Sequence, residues 1–241
     1  PGMPGASVLA ARAALAAGAG RVFVGLLDAT ASTLDPLRPE LMFRPRWWTA
    51  TPTVIAATTV VCGCGGGDAV RAALPPLLSH AARLLLDADA LNAIALDTGL
   101  QRLLEARRAR GLDTVLTPHP LEAARLLACT AAEVQADRLA AAQRLADRFG
   151  ATVVLKGSGS IVATPARLPA VNASGNALLA TAGTGDVLAG WIGGLWAQGG
   201  DGAAAARAGV WWHGHAADLA AQSGQRTPLL AADLIDAMGR R

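Results

Sequence analysis

A chain of 241 residues is long enough to bury a substantial core, as one large domain or two small ones. Its net charge is only +3, with acidic residues interleaved among arginines, so no basic, aromatic-studded face is available for nucleic acid. Every apolar run is broken by Asp, Arg or Gly-Gly before it is long enough to cross a bilayer, which argues against a membrane protein.

Residues 7–19 predict an alanine-rich helix ended by Gly18 and Gly20, and 21–25 a short strand. The β-branched, apolar 53–61 predicts a buried strand running into the glycine-rich 62–67. A helix interrupted by proline is expected over 70–82, a strand at 84–87, a helix over 91–110, and a strand at 114–117 stopped by Pro118. Helices follow at 121–128 and 131–149, then a strand at 152–156 that pairs as a hairpin with 160–164. Asp186 opens a further helix, and 202–221 makes another. This alternation implies an α/β fold with a mostly parallel sheet covered on both faces. With no linker or repeat in view, residues 1–241 read as a single domain. The start at Pro1 is expected to be a trimmed one, or to continue a longer polypeptide.

Three cysteines, Cys62, Cys64 and Cys129, do not make a disulfide framework. Cys62-Gly63-Cys64 is weak as a metal site, and buried thiols in a reducing, cytoplasmic setting are the expectation.

The polar and glycine-rich segments follow the strands directly: 63–67, Asp87-Ala88-Asp89, Thr117-Pro118-His119-Pro120, and 156–160. Ligands of open parallel sheets bind beyond the carboxyl ends of the strands, so these segments should line one crevice. Ala182-Gly183-Thr184-Gly185-Asp186 precedes the apolar run at 187–192. The first amides of a helix lack internal partners and, with the helix dipole, suit a phosphate. A carboxylate there would repel a resting phosphate, so Asp186 reads as the base that takes a proton from an attacking hydroxyl. The ordinary alternative is a turn with Thr184 as helix cap.

Lys156 is the only lysine in the chain, and Lys156-Gly157-Ser158-Gly159-Ser160 offers a cation, flexible backbone and hydroxyls after a strand. His119 has an ordinary reading as a capping or packed histidine, and Asp89 as a helix cap. His213 and His215, two apart on a helix, point to different faces and do not make a metal pair.

Asp87-Ala-Asp-Ala-Leu-Asn92, Leu116-Thr-Pro-His-Pro120, Val154-Leu-Lys-Gly157, Asn172-x-x-Gly-Asn176 and Thr181-Ala-Gly-Thr-Gly-Asp186, in this order, resemble the ADP-dependent NAD(P)H-hydrate dehydratases of the ribokinase-like superfamily. The resemblance covers nearly the whole chain. It implies a three-layer α/β/α fold and nicotinamide-nucleotide repair. ADP, or ATP in some members, phosphorylates the ring hydroxyl of (S)-NADHX or (S)-NADPHX, phosphate leaves, and NADH or NADPH returns. It also implies that Lys156, Gly157, Ser158, Gly159, Ser160, Gly183, Thr184 and Gly185 hold the nucleotide. Ala6, Gly65 and His119 would contact the hydrated dinucleotide, Asp186 would stand at its reacting hydroxyl, and Glu122 would organise Mg2+. An N-terminal epimerase domain often accompanies this one. Departures are the absence of the usual first strand and glycine-rich loop before Met3, Gly63-Cys-Gly-Gly-Gly67 for Gly-Pro-Gly-Leu-Gly, Asn172-Ala-Ser-Gly-Asn176 for Asn-Pro-Thr-Gly-Asn, and Leu121 for glycine. The alternative function is a ribokinase-like kinase of a vitamin precursor or sugar; from another class, a nucleotide sensor that has lost catalysis. The pairs Trp47-Trp48 and Trp211-Trp212 mark either core or a subunit contact, and a homo-oligomer is expected.

Overall fold

The computed structural model describes residues 3–239. Helix α1 (Pro4–Ala16) leads to strand β1 (Phe23–Val24), which pairs in parallel with β2 (Met42–Phe43) in a small sheet of its own. After α2 (Pro52–Ala56) the main sheet begins with β3 (Thr59–Cys62). It continues through α3 (Val70–His80), β4 (Arg83–Leu86), α4 (Ala88–Ala95), α5 (Thr98–Ala109) and β5 (Asp113–Leu116). Helices α6 (Pro120–Leu127), α7 (Ala131–Ala136) and α8 (Arg138–Phe149) precede β6 (Thr152–Leu155), β7 (Ile161–Ala163) and β8 (Ala170–Val171). The chain ends with α9 (Thr184–Ala197), α10 (Gly202–Gln222) and α11 (Ala231–Gly239).

The six strands lie in sequence order from β3 to β8; the first four are parallel and the last two antiparallel. Strand alternation divides the core into two layers. Leu84, Leu86, Val153, Leu155, Ile161 and Ala163 face one cluster with residues of α3 to α8. Leu85, Val154 and Val162 face the other, with α9 and α10. The result is a sheet sandwiched between helices, as expected for a three-layer α/β/α protein.

The structure redraws several boundaries. Residues 53–61 are not one strand: Pro52 occupies the first turn of α2, where its missing N–H costs nothing, and extended chain resumes only at Thr59. The helix expected over 91–110 breaks at Asp97, whose carboxylate accepts from the amides of Gly99 and Leu100 and so starts α5. That expected over 131–149 breaks the same way at Asp137, which caps α8 through Ala140. No interruption occurs at Pro75 and Pro76, which lie inside a continuous α3. The N–H groups they lack would have bonded the carbonyls of Arg71 and Ala72, both exposed residues, whose carbonyls are open to solvent instead. Strands β2 and β8 and helix α11 had no signal strong enough to be read.

Arg107, a charged residue that would ordinarily sit in solvent, is 1% exposed. It donates to the carbonyls of Leu78 and Ala81 and to Thr114 Oγ1, each at 2.8 Å, closing the end of α3 against β5. Burial lowers its pKa to about 10, so it stays charged at neutrality.

A cavity of about 780 Å3 lies between β1 and β3, walled by α1 and α9 and opening toward the glycine-rich loop. Among the described residues neither facing edge has a paired strand there.

Candidate active site

The carboxyl ends of β3 to β6 bring the four polar segments together. Parallel register aligns Cys62, Leu86 and Leu116, and Val153 pairs with Leu116. Main-chain bonds then carry the connection past the strands: Asp87 N donates to Cys62 O, Thr117 N to Leu86 O, and Lys156 N to Pro118 O. Asp87 sits at the centre, 1% exposed. It accepts from Lys156 Nζ at 2.6 Å and from Thr117 Oγ1 at 2.8 Å, while the Cys64 thiol lies 4.0 Å from its other oxygen. The chain leaves this residue through Ala88 at φ +44°, a left-handed conformation that costs a non-glycine residue about 1–2 kcal/mol. Asp89 does not cap α4; its carboxylate accepts from Gly67 N at 2.8 Å and ties the glycine-rich loop to the next segment.

Helix α9 starts at Thr184 rather than Asp186, with Gly183 as its N-cap at φ +89°. Side chains cap α5, α6, α7, α8 and α10, but none caps α9. Its first amides therefore remain for an external acceptor. The Thr184 hydroxyl does not join them, because it donates to the carbonyls of Leu179 and Thr181. Lys156 stands beside this end: an ideal Cβ on Gly185 would lie 3.6 Å from its Nζ. Asp186 falls in the first turn, and one of its oxygens, an Asp87 oxygen and Cys64 Sγ all lie within 4.8 Å of one another.

The electrostatics follow from this crowding. Burial, then the nearby charge of Asp87, raises the Asp186 carboxyl above its ordinary range. Burial opposes charge on Lys156, but Asp87 and Glu122 outweigh it and hold the ammonium above its usual value. The Cys64 thiol is pushed well up by burial and by Asp87 and Asp186, so it is an S–H rather than a thiolate.

His119 is the N-cap of α6, as its ordinary reading held. Nδ1 accepts from the amides of Leu121 and Glu122, and Glu122 Oε2 accepts from His119 N at 2.8 Å, completing a reciprocal box. Nδ1 therefore carries no proton, and Nε2 lies 3.2 Å from Glu122 Oε1 without forming a hydrogen bond to it. Burial and Lys156 lower the His119 pKa, so the ring is neutral and the contact is not an ion pair. Burial raises that of Glu122.

Ala6 and Gly65 meet at the mouth of the crevice. Gly65 adopts φ +68°, and an added Cβ would lie 2.1 Å from Met3 O and 2.9 Å from Ala6 Cβ, so only glycine fits. Gly157 and Ser158 are exposed at the edge, and Ser160 Oγ donates to Gly157 O. Sequence reasoning missed Arg138, which holds this loop by donating to Ser158 O, Leu155 O and Lys156 O. It missed His213 too, whose ring contacts Thr184 O. Neither carries a local pattern. Trp47 and Trp48 pack against the core, Trp212 packs partly buried, and Trp211 is 45% exposed and stacked on His215.

A mostly parallel sheet between helical layers has the ribokinase-like fold, and its strand ends gather an uncapped glycine-threonine-glycine helix start, an aspartate in its first turn and a lysine beside it. The sequence profile of the NAD(P)H-hydrate dehydratases matches residues 1–240, and the chain belongs to that family. It is 48% identical over 201 residues, 82% of its length, to the ADP-dependent (S)-NAD(P)H-hydrate dehydratase of Neisseria meningitidis, of which it covers 67%. It is 41% identical over 200 residues to the bifunctional NAD(P)H-hydrate repair enzyme of Escherichia coli, and spans 37% of that protein. The ADP/ATP-dependent NAD(P)H-hydrate dehydratase of Bacillus subtilis, co-crystallised with ATP and Mg2+, superposes with a TM-score of 0.80 at 29% identity, covering 99% of this chain and 86% of its own.

Proposed function

We propose that this chain dehydrates (S)-NADHX and (S)-NADPHX with ADP as phosphoryl donor, returning NADH and NADPH. The observation that carries the reading is the uncapped start of α9 with Lys156 at its side and Asp186 in its first turn. Amides of residues 183–185 and the ammonium of Lys156 bind the terminal phosphoryl group. Asp186 accepts the proton of the ring hydroxyl as its oxygen bonds to the terminal phosphorus and the bond to the leaving AMP breaks. The ring C–O bond of the phosphate ester then breaks to release inorganic phosphate, with the ring nitrogen lone pair supporting the cation left behind. A neighbouring ring C–H loses its proton to solvent water, restoring the double bond of the dihydropyridine. Such transfer is governed chiefly by positioning and charge. Ala6, Gly65 and the half-exposed ring of His119 face the dinucleotide, and Gly157 to Ser160 lie along the nucleotide.

Mg2+ takes oxygen ligands and keeps several waters. Glu122 fits that chemistry: Oε2 is committed to the His119 amide, while Oε1 lies 3.2 Å from the His119 ring without a hydrogen bond to it. We assign Glu122 the role of holding a hydrated Mg2+, whose charge would offset that of the phosphates. Three unbridged cysteines suit a reducing, cytoplasmic setting.

The assay adds ADP, then ATP, to (S)-NADHX and follows near-ultraviolet absorbance for returning NADH. Recovery supports the dehydratase, and phosphorylation of another acceptor instead would replace it with a kinase. Lys156→Ala should weaken ADP binding by roughly 1–3 kcal/mol, the scale of losing a charged hydrogen-bond partner. Equal affinities in calorimetry would remove Lys156 from the phosphate site.

We also infer that a strand upstream of Met3 lies between β1 and β3. Met3 N donates to Gly65 O at 2.9 Å, so α1 departs from the carboxyl edge of the sheet. A parallel strand in the cavity would end at that edge and pair with both open sides. A chain extended upstream by its native residues should melt several degrees higher. An unchanged midpoint would defeat the inference.

A further inference from the structure

Helix α10 carries an imidazole that the reaction above leaves unused. His213 Nε2 lies 2.9 Å from the carbonyl oxygen of Thr184. A carbonyl only accepts, so Nε2 bears the proton. Burial drives the pKa of His213 down to about 4 against the Thr184 contact, and Lys156 adds to the lowering. The ring is thus a neutral donor throughout the working pH range.

What it holds matters. The Thr184 carbonyl and the Gly185 N–H are opposite ends of one planar peptide, so fixing the oxygen fixes the direction of the amide. The same oxygen accepts a helical bond within α9, from Leu188 N, so His213 is its second donor; beyond these two, little braces the peptide. Its N-terminal neighbour, Gly183, is in the left-handed region, no side chain caps the helix, and the Thr184 hydroxyl is turned back to Leu179 and Thr181. A donor on the carbonyl also polarises the amide behind it and strengthens that amide as a donor.

The helix that carries His213 is itself held in register. Asp218 accepts from Gly175 N and from Asn176 Nδ2, each at 2.9 Å. Ser174 Oγ donates to Trp211 O at 3.0 Å, and Gly214 lies so close to Ser174 that an added Cβ would sit 2.3 Å from its hydroxyl. The Asn172-x-x-Gly-Asn176 motif, to which the reaction assigns nothing, therefore grips α10 and fixes the height of His213 beneath the start of α9.

We propose that His213 is a positioning residue: by holding the carbonyl of the Thr184–Gly185 peptide it aims the Gly185 amide at the phosphoryl group being transferred. This rests on the reading of α9 as the phosphate cradle. Loss of a whole oxyanion donor costs about 10²–10³ in kcat, and a misaimed one costs a fraction of that.

His213→Leu should therefore lower kcat about tenfold and weaken calorimetric ADP binding several-fold, with the KM for (S)-NADHX unchanged. His213→Gln, which keeps an N–H donor at similar reach, should recover most of both. Should the leucine variant fail to fold, His213→Asn, polar but too short, takes its place. Overturning results are a kcat and ADP affinity within twofold of wild type in the leucine or asparagine variant, or an equal loss in His213→Gln at an unchanged melting midpoint. Failure of the dehydratase reading is distinguishable, because it would leave wild-type protein binding ADP without turning over (S)-NADHX. The calorimetric comparison would still judge His213.

Discussion

Asp186→Asn should lower turnover by about 10²–10⁴, the contribution of a well-placed general base, while ADP still binds. Asparagine keeps the shape and the helix start but cannot take the hydroxyl proton. Because the substitution removes a negative charge beside the phosphate cradle, ADP affinity should hold or rise slightly. Wild-type turnover in this variant would take Asp186 out of the mechanism. The pH dependence gives a second reading. Asp186 must be ionised to act, and burial with the neighbouring Asp87 raises its pKa above the ordinary carboxyl value. The acid limb of kcat/KM should accordingly lie at higher pH than an unperturbed aspartate would give, and the residual activity of the asparagine variant should lack it.

The same raised pKa predicts a stability effect of opposite sign. A carboxyl that binds its proton more tightly folded than unfolded favours the folded state at low pH. That contribution is lost as pH rises through the folded pKa. Above its folded pKa the ionised Asp186 therefore opposes folding, and there Asp186→Asn should melt higher than wild type while being nearly inactive. A carboxylate retained at a cost in stability is what a group kept for chemistry looks like.

The crevice was legible because its parts need particular residue types after strands. A backbone that must approach a ligand or turn sharply calls for glycine, as at Gly65 and Gly183, and a buried parallel strand reads as a short β-branched run. Those signals are local, and the parallel register then aligns the segments without further information. What was not legible depends on residues far apart in the chain. Lys156 was read as a phosphate ligand, yet its nearest partner is Asp87, 69 positions earlier. Arg138 and His213 act through main-chain carbonyls, which any sequence supplies, so nothing marks them out. Asp97 and Asp137 fall inside what read as single helices over 91–110 and 131–149, and the competing physics was capping: each side chain satisfies the amides of a new helix. Residues 53–61 were misread because so short an apolar run does not separate helix from strand by periodicity, and Pro52 starts α2, of which only Ile55 is buried.

Gly190→Ala should destabilise the protein by about 3 kcal/mol or more, the upper range for forcing atoms into a packed core. An ideal Cβ at this position would lie 2.0 Å from Ala10 O, and one at Gly194 would lie 2.3 Å from Ala14 O. The obstacle is the backbone of α1, which cannot swing aside as a side chain would, so the two helices must separate. Gly5→Ala is the control: no atom lies within 4 Å of its Cβ position, and alanine in a helix is worth about 1 kcal/mol more than glycine. Denaturant midpoints should therefore move in opposite directions. Helix separation also reaches the site, since α1 begins beside Ala6 and Gly65 while α9 begins at the cradle. At temperatures where Gly190→Ala remains folded, the KM for (S)-NADHX should rise, because the walls proposed to face the dinucleotide no longer keep their distance from Asp186. A Gly190→Ala protein with wild-type stability would mean that α1 and α9 are not packed as closely as their glycines require.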